Sequence, residues 1–336
     1  MYELLKYYNL HDHPGIYLIG TNSEEEWLEE RKKGIGGSDA AAVLGISKYT
    51  SPLKVYKVKL GEIKEDLSDN IYVKKGKDLE ALIRNVYVVP YFQKLGYTVR
   101  HPEHMFVSAK TPWLRSNCDG LAIPNDLEGK TYTDNIVVEI KWVSEWGEFN
   151  WYGEDYCGIP AEYYAQVQHY MVTTGAKKAV VCALFDKSWE MHYFDIPFDP
   201  MFAKQLVDDT CKFYNYNLGL SIPPRVDVTL DKDETLRMIS SDPVDIIKGN
   251  PEFEEAIAEY LTLKEANDRE AKRVTELLKN ISAMYLAGHR SEAFKMSISK
   301  CSRAGFNATR FAEDHPELYQ QYIQQSEYTR TTVKRK

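Results

Sequence analysis

The sequence lacks three features that would narrow its function at once: a cysteine motif, an excess of basic residues and a long hydrophobic run. Its five cysteines form no Cys-x-x-Cys pair, so neither a zinc site nor an iron–sulfur cluster is indicated, and a reducing compartment is expected. The net charge of −8 argues against a globally basic nucleic-acid binder, although a local basic groove would suffice for binding. Without a run of ~18 apolar residues or a signal-peptide pattern, we expect a cytoplasmic protein.

The length and composition predict one large domain with an appendage. The chain has 336 residues, of which 43% are hydrophobic, enough for a substantial core. Residues 219–250 contain a Pro-Pro pair and several acidic residues and are interpreted as a linker. We therefore predict a first domain at residues 1–218 and a C-terminal extension at residues 251–336.

The most informative stretch runs from Trp113 to Lys141. It contains a short apolar strand that begins at or just after Asp119, a turn-rich segment at residues 124–135, and a β-branched strand, Ile136–Val143. This pattern predicts a β-hairpin with a long loop.

Charged residues in this hairpin suggest chemistry. Side chains in a strand alternate between faces, so Glu139 and Lys141 share one face, and Asp119 on the partner strand can reach it. Two carboxylates and a lysine converging there would form an oxygen-rich site for Mg²⁺ or Mn²⁺, in which the lysine orients water or offsets phosphate charge. The alternative is a surface ion pair, which is the usual role of an isolated Glu-x-Lys pair.

The N-terminal part offers a candidate anion site. Residues 1–23 read as irregular, and Ser23 is predicted to cap a helix that reaches Arg31. A glycine-rich turn follows, with Ser38 as the expected N-cap of the next helix, whose free N–H groups could hold an anion beside Arg31. Taken alone, an ordinary capped helix is the favoured interpretation.

Two further helices carry candidate residues. Glu80 lies beside an apolar stripe and is either a solvated glutamate or an additional metal or water ligand. In the helix between Pro160 and Gly175, the side chains of Gln166, His169 and Tyr170 share a face.

The order of the predicted elements indicates an α/β domain with a mixed central sheet flanked by helices. Beyond the linker, the pattern predicts a helix at Pro251–Leu286 with a heptad-like seam, suited to packing on the main domain or to a partner. A strand around residues 294–298, a helix at residues 309–324 and a basic tail at residues 328–336 complete this extension.

Five ordered motifs resemble a known family. They are R-x₄-G-G-S-D-A, G-K-D-L-E, N-C-D-G, V-E-I-K and Y-A-Q-V-Q-H-Y-M, and in this order they resemble the YqaJ-like viral recombinases. These are relatives of the phage lambda exonuclease within the PD-(D/E)xK nuclease superfamily. The resemblance covers roughly residues 27–195 and implies a restriction-endonuclease-like core. Cys118 stands where the superfamily name implies proline.

The resemblance also implies roles for individual residues. Asp119, Glu139, Glu80 and the main-chain carbonyl of Ile140 would be metal ligands, and Lys141 would be the active-site lysine. Gln166 would lie near the nucleophilic water with support from Tyr170. Arg31 and Ser38 would bind the 5′-phosphate of a DNA end.

The implied activity is that of a Mg²⁺-dependent exonuclease, with Mn²⁺ as a second candidate, digesting double-stranded DNA ends from 5′ to 3′ in phage-type recombination. The implied partners are a single-strand annealing protein and other copies of the chain in a ring trimer, in a bacterial host carrying the phage or prophage. The alternatives are an endonuclease with the same core and a non-catalytic DNA-binding or scaffold protein.

Overall fold

The computed structural model describes residues 2–64, 70–227, 229–234, 251–286 and 308–322. The chain divides into two units, Met1–Thr235 and Leu236–Lys336.

The described strands all lie in the first unit. In chain order they are Ile16–Ile19 (β1), Ile35–Gly36 (β2), Tyr97–Arg100 (β3), Met105–Ser108 (β4), Thr111–Ser116 (β5), Gly120–Pro124 (β6), Ile136–Val143 (β7), Lys178–Phe185 (β8) and Glu190–Pro197 (β9). Five of them form a sheet in the order β3-β6-β7-β8-β9, in which β7 and β8 are parallel and the other neighbours are antiparallel. The predicted mixed central sheet is thus confirmed.

The described helices surround this sheet or follow it in sequence. They are Tyr2–Tyr7 (α1), Glu24–Lys32 (α2), Gly37–Val43 (α3), Pro52–Lys59 (α4), Ile71–Ile83 (α5), Val89–Lys94 (α6), Ala161–Thr174 (α7), Pro200–Lys212 (α8), Pro251–Leu286 (α9), Ala308–Asp314 (α10) and Pro316–Tyr322 (α11). The predicted ends of α7 are confirmed, because Pro160 precedes it and Gly175 closes it in the left-handed conformation at φ 76°.

The hairpin predicted around Asp119 is confirmed as β6 and β7. The two strands are antiparallel, with Gly120 opposite Val138, and residues 125–135 form the long connection. Alternation along β7 places Val137 in one apolar core with Val167 of α7, and Val138 in another with Ile83 of α5. The strand is therefore covered on both faces, which explains its nearly continuous hydrophobic sequence.

A second sheet, in the order β1-β4-β5-β2, was not predicted. The expectation that residues 1–23 are irregular is wrong, because they contain α1 and β1, and β1 pairs with β4 along its whole length. Short elements of this kind are stabilised by partners distant in sequence, so local patterns do not reveal them.

In the second unit, α9 has the predicted bounds, Pro251–Leu286. The helix predicted at residues 309–324 is two helices, α10 and α11, separated at His315 because Pro316 disfavours a helical conformation in the preceding residue. The strand predicted near residue 296 and the basic tail lie outside the described residues. Among the described helices, none combines the length and the apolar character needed to span a bilayer.

Candidate active site

Asp119 and Ile140 connect the two strands of the β6–β7 hairpin. Asp119 immediately precedes β6, and its Oδ2 accepts a hydrogen bond of 2.7 Å from the backbone N–H of Ile140. On the other side, Nδ1 of His101 lies 3.0 Å from the main-chain oxygen of Asp119. The bond from Ile140 holds the carboxylate at the middle of β7, as the hairpin pattern predicts.

Glu139 and Lys141 lie on the same face of β7, as their spacing requires. Lys141 Nζ donates to Glu139 Oε1 at 2.5 Å. Glu139 is only 1% exposed, and its second oxygen, Oε2, is buried without a hydrogen-bond partner. A buried carboxylate oxygen without a partner is costly, so the surface ion pair considered from the sequence alone does not describe this site.

The electrostatics of the site reflect an excess of negative charge. Burial raises the pKa of Asp119 well above its usual value, and the charge of Glu139 raises it further. Burial also raises the pKa of Glu139, although the ammonium of Lys141 opposes this effect. Burial alone would lower the pKa of Lys141, but the charge of Glu139 outweighs it and holds this pKa above its ordinary range, so the lysine is protonated.

Glu80 lies at the edge of this group and not inside it. Its Oε1 accepts a 2.5 Å hydrogen bond from Nη2 of Arg84, and its side chain is about one-third exposed. Its charge nevertheless raises the pKa of both Asp119 and Glu139, which places it near them. Within the described residues, no three His, Cys, Asp or Glu side chains already converge as a metal cage.

Helix α7 brings three side chains to the same face of the sheet. Gln166 Nε2 donates to the hydroxyl of Tyr170 at 2.9 Å. Burial raises the pKa of Tyr170 well above its usual value, and the charges of Glu139 and Asp119 add to this effect. One turn earlier, the ring of Tyr163 lies 4.7 Å from Lys141 Nζ in a cation–π contact.

His169, which was predicted to share a face of α7 with Gln166 and Tyr170, is held in the protein interior by its own hydrogen bonds. It is fully buried, its Nε2 lies 3.0 Å from the carbonyl oxygen of Ile35, and its Nδ1 lies 3.2 Å from Ser116 Oγ. Burial lowers its pKa to about 4, so the ring is neutral at physiological pH.

Arg31 and Ser38 are in contact: Nη2 of Arg31 donates to Ser38 Oγ at 3.0 Å. The predicted capping role of Ser38 is wrong. Helix α3 begins at Gly37 with Gly36 as N-cap, two residues before the predicted cap, and the backbone N–H of Gly36 donates to Asp39 Oδ2 at 2.8 Å. Because Asp39 closes this turn, the hydroxyl of Ser38 is left to accept from Arg31.

A buried ion pair beneath Arg31 was missed at the sequence level. Lys59 Nζ lies 2.6 Å from Asp39 Oδ2 and donates to the main-chain oxygen of Arg31 at 2.9 Å. Burial would raise the pKa of Asp39, but Lys59 and Arg31 outweigh it and hold this pKa below its usual value. No local pattern marks Lys59, whereas Tyr163 could have been found, because it is three residues before Gln166 on the same helix.

Gly37 lies between the Arg31–Ser38 pair and the Asp119–Glu139–Lys141 group. A Cβ atom at this position would lie 2.4 Å from Cε1 of Tyr170, so the backbone at the start of α3 rests directly on the Tyr170 ring. The Arg31–Ser38 pair and the Asp119–Glu139–Lys141 group are therefore linked through Tyr170.

Comparisons with known proteins agree with the motifs. Residues 26–177 match the sequence model of the YqaJ-like viral recombinase domain. The uncharacterised protein YqaJ of Bacillus subtilis (strain 168) is 24% identical, over 94% of this chain and 97% of its own length.

Two solved structures are similar at low identity. The alkaline exonuclease LHK-Exo of Laribacter hongkongensis has a TM-score of 0.45 and 19% identity, covering 64% of this chain and 99% of its own. A phage-related exonuclease from Haemophilus somnus 129PT has a TM-score of 0.40 and 12% identity, covering 56% of this chain and 96% of its own. The resemblance predicted from the motifs is confirmed by the sequence match: residues 26–177 of this chain are similar in sequence to the YqaJ-like viral recombinase domain.

Proposed function

We propose that the protein is a metal-dependent exonuclease that digests double-stranded DNA ends from 5′ to 3′. The observation that carries this proposal is the buried Asp119–Glu139–Lys141 group, in which Glu139 Oε2 has no protein partner. The YqaJ-like viral recombinase domain surrounding this group supports a role in DNA recombination.

The residues fit a hard divalent cation. Two buried carboxylates face a single ammonium group, so one more positive charge would relieve the repulsion that raises the pKa of Asp119. Asp119, Glu139 and the carbonyl oxygen of Ile140 would hold Mg²⁺ or Mn²⁺, and Glu80 would join them after leaving Arg84. When bound, such an ion supplies a Lewis acid and lowers the pKa of a coordinated water.

The remaining residues of the group orient the reactants. Lys141, kept protonated by Glu139 and placed on the Tyr163 ring, would offset the charge that develops on the phosphate. Gln166, positioned by its hydrogen bond to Tyr170, would hold the attacking water. This arrangement gives Lys141, Gln166 and Tyr170 complementary roles in phosphodiester hydrolysis.

The Arg31–Ser38 pair would select the DNA end. A guanidinium and a hydroxyl 3.0 Å apart can both donate to one phosphate group. Through Gly37 and Tyr170 this pair is connected to the hydrolytic group, so a terminal 5′-phosphate bound there would fix the position of the bond to be cut. This is the basis for the proposed 5′-to-3′ direction.

The proposal extends to assembly and partners. A 5′-to-3′ digestion leaves a 3′-terminated single strand, which a single-strand annealing protein would receive. A ring trimer around the duplex would make digestion processive. Native mass spectrometry showing only monomers, together with distributive digestion, would count against the ring.

The decisive experiment uses a linear duplex labelled at both ends, incubated with Mg²⁺ and either wild-type protein or the Asp119→Asn variant. We expect the wild type to release the 5′ label first and the variant to be slower by roughly 100-fold or more, because a charged group aimed at the reacting centre is lost. Asp208→Asn is a matched control, since Asp208 is exposed on α8 and forms an ion pair with Lys204 at 2.7 Å.

Covalently closed circular DNA separates the alternatives. An exonuclease leaves circles intact, whereas nicked or linearised circles would assign the protein as an endonuclease. Binding of DNA without cleavage in Mg²⁺ or Mn²⁺ would assign it as a scaffold. Equal rates of DNA cleavage for wild type and Asp119→Asn would show that Asp119 has no role in catalysis.

A further inference from the structure

A cleft of about 250 Å³ lies away from the hydrolytic group, where β7 and β8 begin and β4 turns into β5. Its polar lining includes His13, Lys110, Thr111, Thr133 and Lys177. Glu139 is three residues beyond the first residue of β7, or about 10 Å along the strand. The cleft is therefore separate from the site formed by Asp119, Glu139 and Lys141.

Two buried polar residues line this cleft: Ser108, whose Oγ accepts a hydrogen bond from the backbone N–H of Lys110, and Thr111. Thr111 is 7% exposed, and its Oγ1 is buried without a hydrogen-bond partner. Nδ1 of His13, also buried, has no partner either. An unpaired buried hydroxyl is costly, so an acceptor group that reached Thr111 from the cleft would be favoured by this free donor.

The charge of the cleft selects for an anion. It is lined by two lysines, Lys110 and Lys177, and by no aspartate or glutamate. Burial lowers the pKa of His13, and the charge of Lys110 lowers it further, which places this ammonium close to the imidazole. In a chain with a net charge of −8, such a positively charged concave surface is a local exception that would attract anions.

One wall of the cleft is aromatic. The rings of His13 and Tyr132 are 4.6 Å apart between centroids. They lie directly over Gly175, where a Cβ atom would be 2.5 Å from Cε2 of Tyr132. A planar or sugar ring attached to the anion would therefore have a surface to pack against.

We propose that this cleft binds a phosphate monoester, with Thr111 Oγ1, Lys110 and Lys177 donating to the phosphate oxygens and Tyr132 flanking the attached group. The volume lies below the ~300–1,000 Å³ of pockets for drug-sized ligands, which suits a nucleoside monophosphate or the terminal phosphate of a DNA strand. The inference does not depend on the proposed nuclease activity.

Calorimetric titration of the metal-free protein with inorganic phosphate and with dAMP tests the proposal. An Arg31→Gln background removes the other proposed phosphate site. In this background we expect Lys110→Gln and Thr111→Val to weaken phosphate binding by at least tenfold. Thr111→Ser is the matched control, because it keeps the hydroxyl and is expected to retain binding.

Thermal unfolding in phosphate-free buffer separates binding from folding. Thr111→Val removes an unpaired hydroxyl from a buried position, so its Tm is expected to equal or exceed that of the parent protein. Tighter binding of dAMP than of inorganic phosphate would assign the cleft to free nucleotides. Displacement of inorganic phosphate by a 5′-phosphorylated duplex would assign it to DNA ends.

Two results would overturn the inference. The first is the absence of any phosphate or dAMP binding in the Arg31→Gln background. The second is binding that is unchanged in both Lys110→Gln and Thr111→Val, since the phosphate would then be held elsewhere.

Discussion

Asp119 is buried beside Glu139, and both the burial and the neighbouring charge raise its pKa, so its ionised form weakens the fold at neutral pH. Asp119→Asn removes this charge and keeps an oxygen that can accept from the N–H of Ile140. We expect the metal-free variant to have a higher Tm than the wild type, by about 2–4 °C for each kcal/mol gained. The measurement is calorimetric unfolding in EDTA.

The same variant serves as its own control for folding. If Asp119→Asn loses cleavage while its Tm rises, the loss belongs to the chemistry and not to misfolding. A Tm below that of the wild type would mean that the carboxylate stabilises the fold, which contradicts the electrostatic argument.

His169 predicts a pH dependence of stability. Burial lowers the pKa of this histidine to about 4 in the folded protein, against an ordinary value of 6.5. The unfolded chain therefore binds a proton below pH 6.5 that the folded protein binds only near pH 4. The difference corresponds to about 3 kcal/mol of stability that is complete above pH 6.5 and lost as the pH falls towards 4.

Urea unfolding of wild type and His169→Gln between pH 7.5 and pH 4.5 measures this effect. We expect the wild type to lose more stability on acidification than the variant, which cannot take up the proton. Parallel pH profiles for the two proteins would show that His169 is protonated equally in the folded and unfolded states.

At the scale of elements, the tight packing of α3 on α7 can be tested at Gly37. Gly37→Ala would place a methyl group 2.4 Å from the Tyr170 ring, and overpacking of this kind costs about 1–3 kcal/mol. We expect a lower Tm and slower DNA cleavage, since Tyr170 holds Gln166. Steady-state kinetics with a labelled duplex would show the slowing in kcat.

Gly76→Ala is the matched control for this substitution. Gly76 lies inside α5, and a Cβ atom there would meet no other atom within 4 Å. Because alanine favours helices over glycine by about 1 kcal/mol, we expect this variant to be more stable and equally active. Similar losses in both variants would show that contact with Tyr170 is not the cause.

Elements with local signals could be predicted, and the β6–β7 hairpin shows why. Its turn residues, its β-branched strand and the alternation that places Glu139 beside Lys141 are all properties of adjacent residues. The pairing of β2 with β5 joins Ile35 to Leu114 across 79 positions in the sequence, and two residues give no pattern to recognise. The second sheet was therefore missed.

In the candidate site, too, features carried by neighbouring residues could be predicted, and contacts between distant segments could not. The position of Arg31 just before the glycine-rich turn with Ser38 could be recognised in one short segment, although the hydrogen bond between the two residues was not predicted. Asp39, which bonds the backbone N–H of Gly36 at the start of α3, is paired with Lys59 from another helix, and no local pattern shows this pairing. Glu80 was identified as a candidate, but its pairing with Arg84, one helical turn away, was not anticipated.

At the scale of the whole molecule, part of the stretch interpreted as a linker packs within the first unit. Asp231 Oδ1 accepts a 2.5 Å hydrogen bond from Ser51 Oγ, and Glu234 forms a 2.7 Å ion pair with Lys57 of α4. Val226 packs against the apolar cluster that contains Leu53. These contacts lie beyond residue 218, where the sequence predicted the first domain to end.

We therefore expect a chain ending at residue 235 to be more stable than one ending at residue 218. The shorter chain loses the partners of Ser51 and Lys57 and exposes part of an apolar cluster, which together correspond to about 2–4 kcal/mol. Urea unfolding of both truncated chains beside the full-length protein measures the difference. A longer chain that carries Glu234→Gln and Val226→Ser is the control, because it should lose most of the gain. Equal midpoints for the two truncated chains would place the boundary at residue 218 and make residues 219–234 a passive connection.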